Sequence, residues 1–162
     1  MRVIPVVAAL AGTSSASTMF IQMTAAQLNY QWAVTGWSAD CAETGCHYDF
    51  NITGTANETV IPARPGFKAH CSGEGEGAPY QECTQLESDS EHLRVVASLL
   101  PSSNNTVNGT RQAHLQVSMK HTDPEVSTTF YNYTGHGYGT YGPSSAALQD
   151  FLVQVDDFYG VG

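Results

Sequence analysis

At 162 residues the chain has room for one ordinary domain, which excludes a large multidomain enzyme. Fifteen Asp and Glu against six Lys and Arg give a net charge of −9, and a surface of that sign repels phosphate backbones and anionic headgroups, so nucleic acid and polybasic membrane attachment are not expected. Only 13% of residues are charged, while Thr, Ser, Asn, Gly and Tyr abound, the usage of β-rich extracellular proteins.

The N-terminus reads MRVIPVVAALAGTSSAS, with Arg2, an apolar run from Val3 to Ala11, and small residues at Ser14 and Ala16. These are the three parts of a secretory signal, so residues 1–16 are expected to be removed and 17–162 to form one extracellular domain. The apolar run is shorter than the roughly 20 residues a bilayer span takes, so membrane insertion is not expected. Ser17 to Gln27 has room for a short helix, without a strong cap.

From Leu28 onward the pattern is one of strands, whose alternate side chains share a face. Over Leu28 to Trp37, the residues Leu28, Tyr30, Trp32 and Val34 form an apolar row. Trp37 is an odd number of residues from Trp32, which assigns it to the opposite, exposed face. Cys46 to Thr53 sets Cys46, Tyr48, Phe50 and Ile52 against His47, Asp49, Asn51 and Thr53, and Gly66 to Ser72 sets Phe67, Ala69 and Cys71 against Lys68 and His70.

Pairing these two segments as a hairpin across GTANETVIPAR, one register buries both apolar rows with Phe50 opposite Phe67, Tyr48 opposite Ala69 and Cys46 opposite Cys71. That register favours disulfides Cys46–Cys71 and Cys41–Cys83, the local pairing Cys41–Cys46 with Cys71–Cys83 being the alternative. It also sets His47 across from His70 and Asp49 across from Lys68. Two imidazoles and a carboxylate on adjacent strands have the chemistry of a copper or zinc site. A solvent-facing histidine pair beside a surface ion pair, worth at most about 1 kcal/mol, accounts for the same residues without a metal or any other cofactor.

Gly73 to Glu91 carries six acidic residues and a short strand around Tyr80 to Thr84; the spacing matches no calcium loop. His92 to Leu100 and Gln112 to Lys120 alternate cleanly, and the polar connection PSSNNTVNGT makes them a hairpin. Val126 to Thr134 and Leu148 to Asp157 complete the series at seven or eight strands. An all-β antiparallel barrel is the expected fold, since closure removes exposed edges, with a β-sandwich as the alternative.

Five N-x-S/T sequons, at Asn51, Asn57, Asn104, Asn108 and Asn132, fit a secreted glycoprotein. The segment YNYTGHGYGTYGP reads as a glycine-rich binding loop, with Tyr131, Tyr133, His136, Tyr138 and Tyr141 as amphipathic contacts for a protein or a sugar ring. There is no G-x-S-x-G elbow, no phosphate-cradling loop and no H-E-x-x-H, so no catalytic residue is assigned.

The run QWAVTGWSADCAETGCHYDFNITG, then PGFKAHCSG, a V-x-A-S-L strand and a terminal F-x-V-x-V strand resemble the hypersensitive response-inducing protein elicitors of filamentous ascomycetes such as the rice blast fungus. The likeness runs over the whole mature chain, and its motifs are structural. It implies a secreted effector with a β-barrel and two disulfides. Such a protein is expected to act in the plant apoplast, where a cell-surface receptor or wall component perceives it and cell death and defence follow. It supplies no catalytic residues. The alternatives of a different class are a carbohydrate-binding module using Trp37 and the tyrosine segment, and a small hydrolase.

Overall fold

The computed structural model describes residues 20–24, 28–42, 45–87, 91–101, 106–107, 109–143 and 146–162. The signal-like segment 1–16 and the sequons at Asn104 and Asn108 lie outside them. The strands in chain order are β1 (Phe20–Thr24), β2 (Gln31–Ala42), β3 (Gly45–Gly54), β4 (Phe67–Glu74), β5 (Gln81–Glu82), β6 (Thr84–Gln85), β7 (Leu93–Leu100), β8 (Thr106–Val107), β9 (Thr110–Thr122), β10 (Phe130–Thr140) and β11 (Gln149–Val161). The stretch with room for a helix instead supplies β1, which pairs antiparallel with the end of β11.

All pairings are antiparallel, and the sheet runs β5-β7-β9-β10-β11-β2-β3-β4-β6. Its two ends are almost one piece of chain, because only Cys83 separates β5 from β6. Gln81 and Glu82 pair with β7, and Thr84 and Gln85 pair with β4. The Cys83 amide donates to the Val95 carbonyl at 2.9 Å, and the Leu86 amide to the Lys68 carbonyl at 2.9 Å. One short segment thus satisfies both sheet edges in turn and nearly closes the barrel, which removes the unpaired backbone an open sheet would present.

Side-chain alternation fills the interior. Each of the seven long strands contributes a side chain with 0–1% exposure: Trp32, Phe50, Ala69, Val95, Leu115, Tyr133 and Val153. Tyr48 adds a hydrogen bond across this core, its hydroxyl donating to the Ala97 carbonyl at 3.0 Å, and burial pushes its pKa up to about 12.

The β3–β4 register keeps the expected parity but is displaced by four residues. Phe50 faces Cys71, Ile52 faces Ala69, Gly54 faces Phe67 and Tyr48 faces Gly73. Packing accounts for the choice. A Cβ on Gly54 would lie 2.3 Å from the Phe67 ring, and one on Gly73 would lie 2.4 Å from the Tyr48 hydroxyl, so each ring occupies space that its glycine partner leaves empty. The expected register would have set Phe50 against Phe67 instead.

This displacement corrects the favoured disulfide assignment. The bridges are Cys41–Cys46 and Cys71–Cys83. Cys41 and Cys46 are directly paired across β2 and β3; Cys71 reaches from β4 to the closing segment and ties the barrel's two ends together.

A bulge decides the place of Trp37. The pairing of β2 with β3 shifts between Thr35 and Ser38, where Gly36 takes a φ of +67°, a conformation that favours glycine. Its amide donates to Asp150 Oδ1 at 2.9 Å. One extra residue reverses the alternation, so Trp37 joins Trp32 and Val34 inside, with 1% exposure. The expected exposed tryptophan is a core residue, its indole N–H donating to the Thr140 carbonyl at 3.1 Å.

Candidate functional site

The tyrosine and glycine segment read as a loop is, over Phe130–Thr140, the strand β10. Its glycines occupy every second position from Gly135 to Gly139 and all are buried. A Cβ on Gly139 would lie 2.4 Å from Trp37 Cε2, and one on Gly135 would lie 2.8 Å from Val153 Cγ1. These glycines make room for large interior side chains. Thr134, His136, Tyr138 and Thr140 consequently share the outer face.

The five candidate residues therefore separate. Tyr133 is inside, 1% exposed, and burial raises its pKa to about 12. Tyr131 is half-buried, packed on Phe158 with ring centres 6.2 Å apart. Tyr141 lies just past β10, where its hydroxyl donates to Glu76 Oε1 at 2.8 Å. Arg111 donates to the same carboxylate at 2.8 Å and covers the Tyr141 ring at 5.0 Å. Burial, followed by the Glu76 contact, raises the Tyr141 pKa. Tyr141 and Glu76 are braces at one end of the barrel. His136 and Tyr138 remain on the outside.

Around these two, β9 and β11 supply the rest of a polar cluster. In register, Tyr138 faces His114 and His136 faces Gln116 on β9, while His136 faces Gln154 on β11. Tyr138 stacks on His114 with centroids 4.6 Å apart and an interplanar angle of 19°, and 48% of it stays exposed. The β10–β11 pairing shifts between Thr134 and Gly135, and the extra β11 residue, Asp156, is brought beside His136. The His136 Nδ1 to Asp156 Oδ2 distance is 2.6 Å.

An ionised carboxylate only accepts, so Nδ1 donates to it. Nε2 stands 3.1 Å from the Gln116 amide nitrogen, so both ring nitrogens are engaged. His114 is held below the ordinary histidine value, first by burial and next by neighbouring His136, with Asp156 opposing. Asp156 Oδ1 is buried without a hydrogen-bond partner.

The nearby hydroxyls are committed elsewhere. Ser118 donates to Asn132 Oδ1 at 3.2 Å and meets Thr134 Oγ1 at 3.2 Å, while Asn132 Nδ2 donates to Thr134 Oγ1 at 3.4 Å. Among the described residues no hydroxyl is hydrogen-bonded to the His136–Asp156 pair. Strand alternation by itself places His114 and Gln116 on one face of β9, whereas the contribution of Asp156 depends on a bulge that no local pattern signals.

The histidines weighed as metal ligands are not brought together. His47 faces Asp40 and Glu74, whereas His70 faces Asn51 and places Nε2 3.2 Å from Asp49 Oδ2. The register displacement that re-paired the cysteines moved these residues apart. Among the described residues no three His, Cys, Asp or Glu side chains are grouped to hold a metal ion. The acidic stretch is likewise spread out: Glu82 pairs with Arg94 at 2.7 Å on the surface, and Glu76 turns to Arg111.

No family model, curated protein or solved structure matches this chain.

Proposed function

We propose that the chain is a secreted, non-catalytic elicitor whose folded outer surface is perceived by a plant cell-surface receptor or wall component. The observation that carries this reading is the filled interior. Side chains from all seven long strands pack there with 0–1% exposure, so the chemistry offered to a partner is on the outside. The outer face of β9, β10 and β11 presents an organised set, with Tyr138 on its His114 support and His136 fixed between Asp156 and Gln116. Rigid aromatic surface beside oriented polar groups is what recognition of a protein or glycan uses. The sequence resemblance to ascomycete elicitors supplies the biological setting.

The test is leaf infiltration of native protein beside heat-denatured protein, reduced and alkylated protein, and a Tyr138→Ala/His136→Ala variant. Native protein is expected to cause local cell death, with activity lost on unfolding and reduced in the variant. Equal potency of denatured and native samples would overturn recognition through the folded surface. With Trp37 inside the barrel, the carbohydrate-binding alternative rests on Tyr138; saturable retention on a cell-wall polysaccharide, lost in Tyr138→Ala, would favour it.

A further inference from the structure

Three sequons fall on described residues, and their surroundings separate them. In Asn57-Glu58-Thr59 the Asn57 Oδ1 accepts from the Thr59 backbone amide at 3.0 Å and from Thr59 Oγ1 at 2.7 Å. Both partners are two residues away, so this turn needs no other strand to form. Its base is fixed: Asn57 and Arg64 exchange backbone hydrogen bonds at 2.9 Å, and the Arg64 guanidinium lies 4.7 Å over the Tyr30 ring. Glu58, Thr59 and Ile61 are exposed beyond it, Ile61 at 93%. Among the described residues Asn57 Nδ2 has no hydrogen-bond partner.

Asn132 is engaged on both sides of its amide, since Oδ1 accepts from Ser118 and Nδ2 donates to Thr134. It lies mid-sheet, between Lys120 and Tyr159 in register. Asn51 sits between Thr35 and His70, its Oδ1 3.2 Å from His70 Nδ1. The Ser118 and His70 contacts are cross-strand and arise only on folding.

We infer that Asn57 is the acceptor of an N-linked oligosaccharide and that Asn132 stays bare in the folded protein. In the transfer, Asn57 Nδ2 forms a bond to the anomeric carbon of a lipid-diphosphate-linked oligosaccharide. The bond from that carbon to the diphosphate oxygen breaks, the electron pair leaves with the lipid diphosphate, and Nδ2 loses one proton. The glycan then stands at the base of this loop, where Asn57 pairs with Arg64, and a bare Asn132 adds no glycan to the β9–β10 face shared with His136. The inference rests on the secreted reading.

To separate the two, one arm secretes residues 17–162 from a glycosylating yeast behind the host's leader, and another uses the chain's own residues 1–16. Enzymatic deglycosylation in heavy-oxygen water marks each formerly occupied Asn as labelled Asp, which peptide mass spectrometry locates. In the host-leader arm, label is expected on Asn57 in most molecules and on Asn132 in few. Thr59→Ala removes the Asn57 label, and Thr59→Ser retains it. An unlabelled Asn57, or an Asn132 labelled in most folded molecules, overturns the inference. Failure confined to the chain's own leader overturns the secretion reading and leaves the acceptor assignment standing.

Discussion

Replacement of Gly139 by alanine distinguishes the two physical readings of the glycine-rich segment by the sign of its effect. In a flexible surface connection, Gly→Ala at a compatible backbone position stabilises by about 0.4–1 kcal/mol, because the unfolded chain loses freedom. In β10 the new methyl group would lie 2.4 Å from Trp37 Cε2 and Nε1, well inside van der Waals contact. The indole has little room to yield. Its ring centre is 5.6 Å from Phe50 and 5.4 Å from Phe151, and its N–H is bonded to the Thr140 carbonyl. Overpacking of this kind costs about 1–3 kcal/mol, and a chain of this size loses about 2–4 °C in melting temperature per kcal/mol. Guanidinium unfolding with the disulfides intact, read by tryptophan fluorescence, should give a lower midpoint at unchanged slope. A variant as stable as the parent, or more stable, would refute the inward placement of the β10 glycines and the core position of Trp37 with it.

The two disulfides should differ in worth and in accessibility. Cys71–Cys83 spans a sequence separation of 12 and Cys41–Cys46 one of 5, a chain-entropy difference of about 0.8 kcal/mol, and only the former joins the barrel's ends. Cys71→Ala with Cys83→Ala is expected to cost more stability than Cys41→Ala with Cys46→Ala; the reverse order in denaturant midpoints would remove the closing role. Under limited reduction, alkylation mapping should label exposed Cys41 before the buried pair Cys71 and Cys83.

Stability should also fall on mild acidification. His114 and His121 are both held below the ordinary value of 6.5, chiefly by burial. As pH drops through about 6.5 the unfolded chain takes up protons that these native rings refuse, and the native state loses ground. Urea unfolding at intervals from pH 8 to 5.5 should show declining stability, with a shallower decline in a His121→Gln variant. A free energy that holds constant or rises over that range contradicts the assignment.

Strand existence and facing were legible wherever burial on one side imposed strict alternation. Ala113, Leu115, Val117 and Met119 form such a row, matched by Leu93, Val95, Ala97 and Leu99 on the neighbouring strand, and both rows are buried as their spacing requires. Parity between β3 and β4 was legible for the same reason, since a slip of one residue would expose Phe50 and Ile52. Period-two patterning, however, is indifferent to a slip of two or four residues. The choice among those registers came from shape, Phe67 filling the space over Gly54 and Tyr48 the space at Gly73, and it carried the disulfide pairing and the separation of His47 from His70.

The remaining differences share a cause in the tertiary structure. Gly36 inserts a bulge that turns Trp37 inward, the shift between β10 and β11 brings Asp156 to His136, and the β10 glycines acquire their meaning from rings on other strands. Composition and alternation determined that this chain would form an all-β domain and which faces most strands would bury, because those follow from each segment's own pattern of apolar side chains. Which strands slide to which register, which cysteines meet and which polar groups gather outside were decided only when distant side chains competed for the same interior volume, a contest no local pattern records.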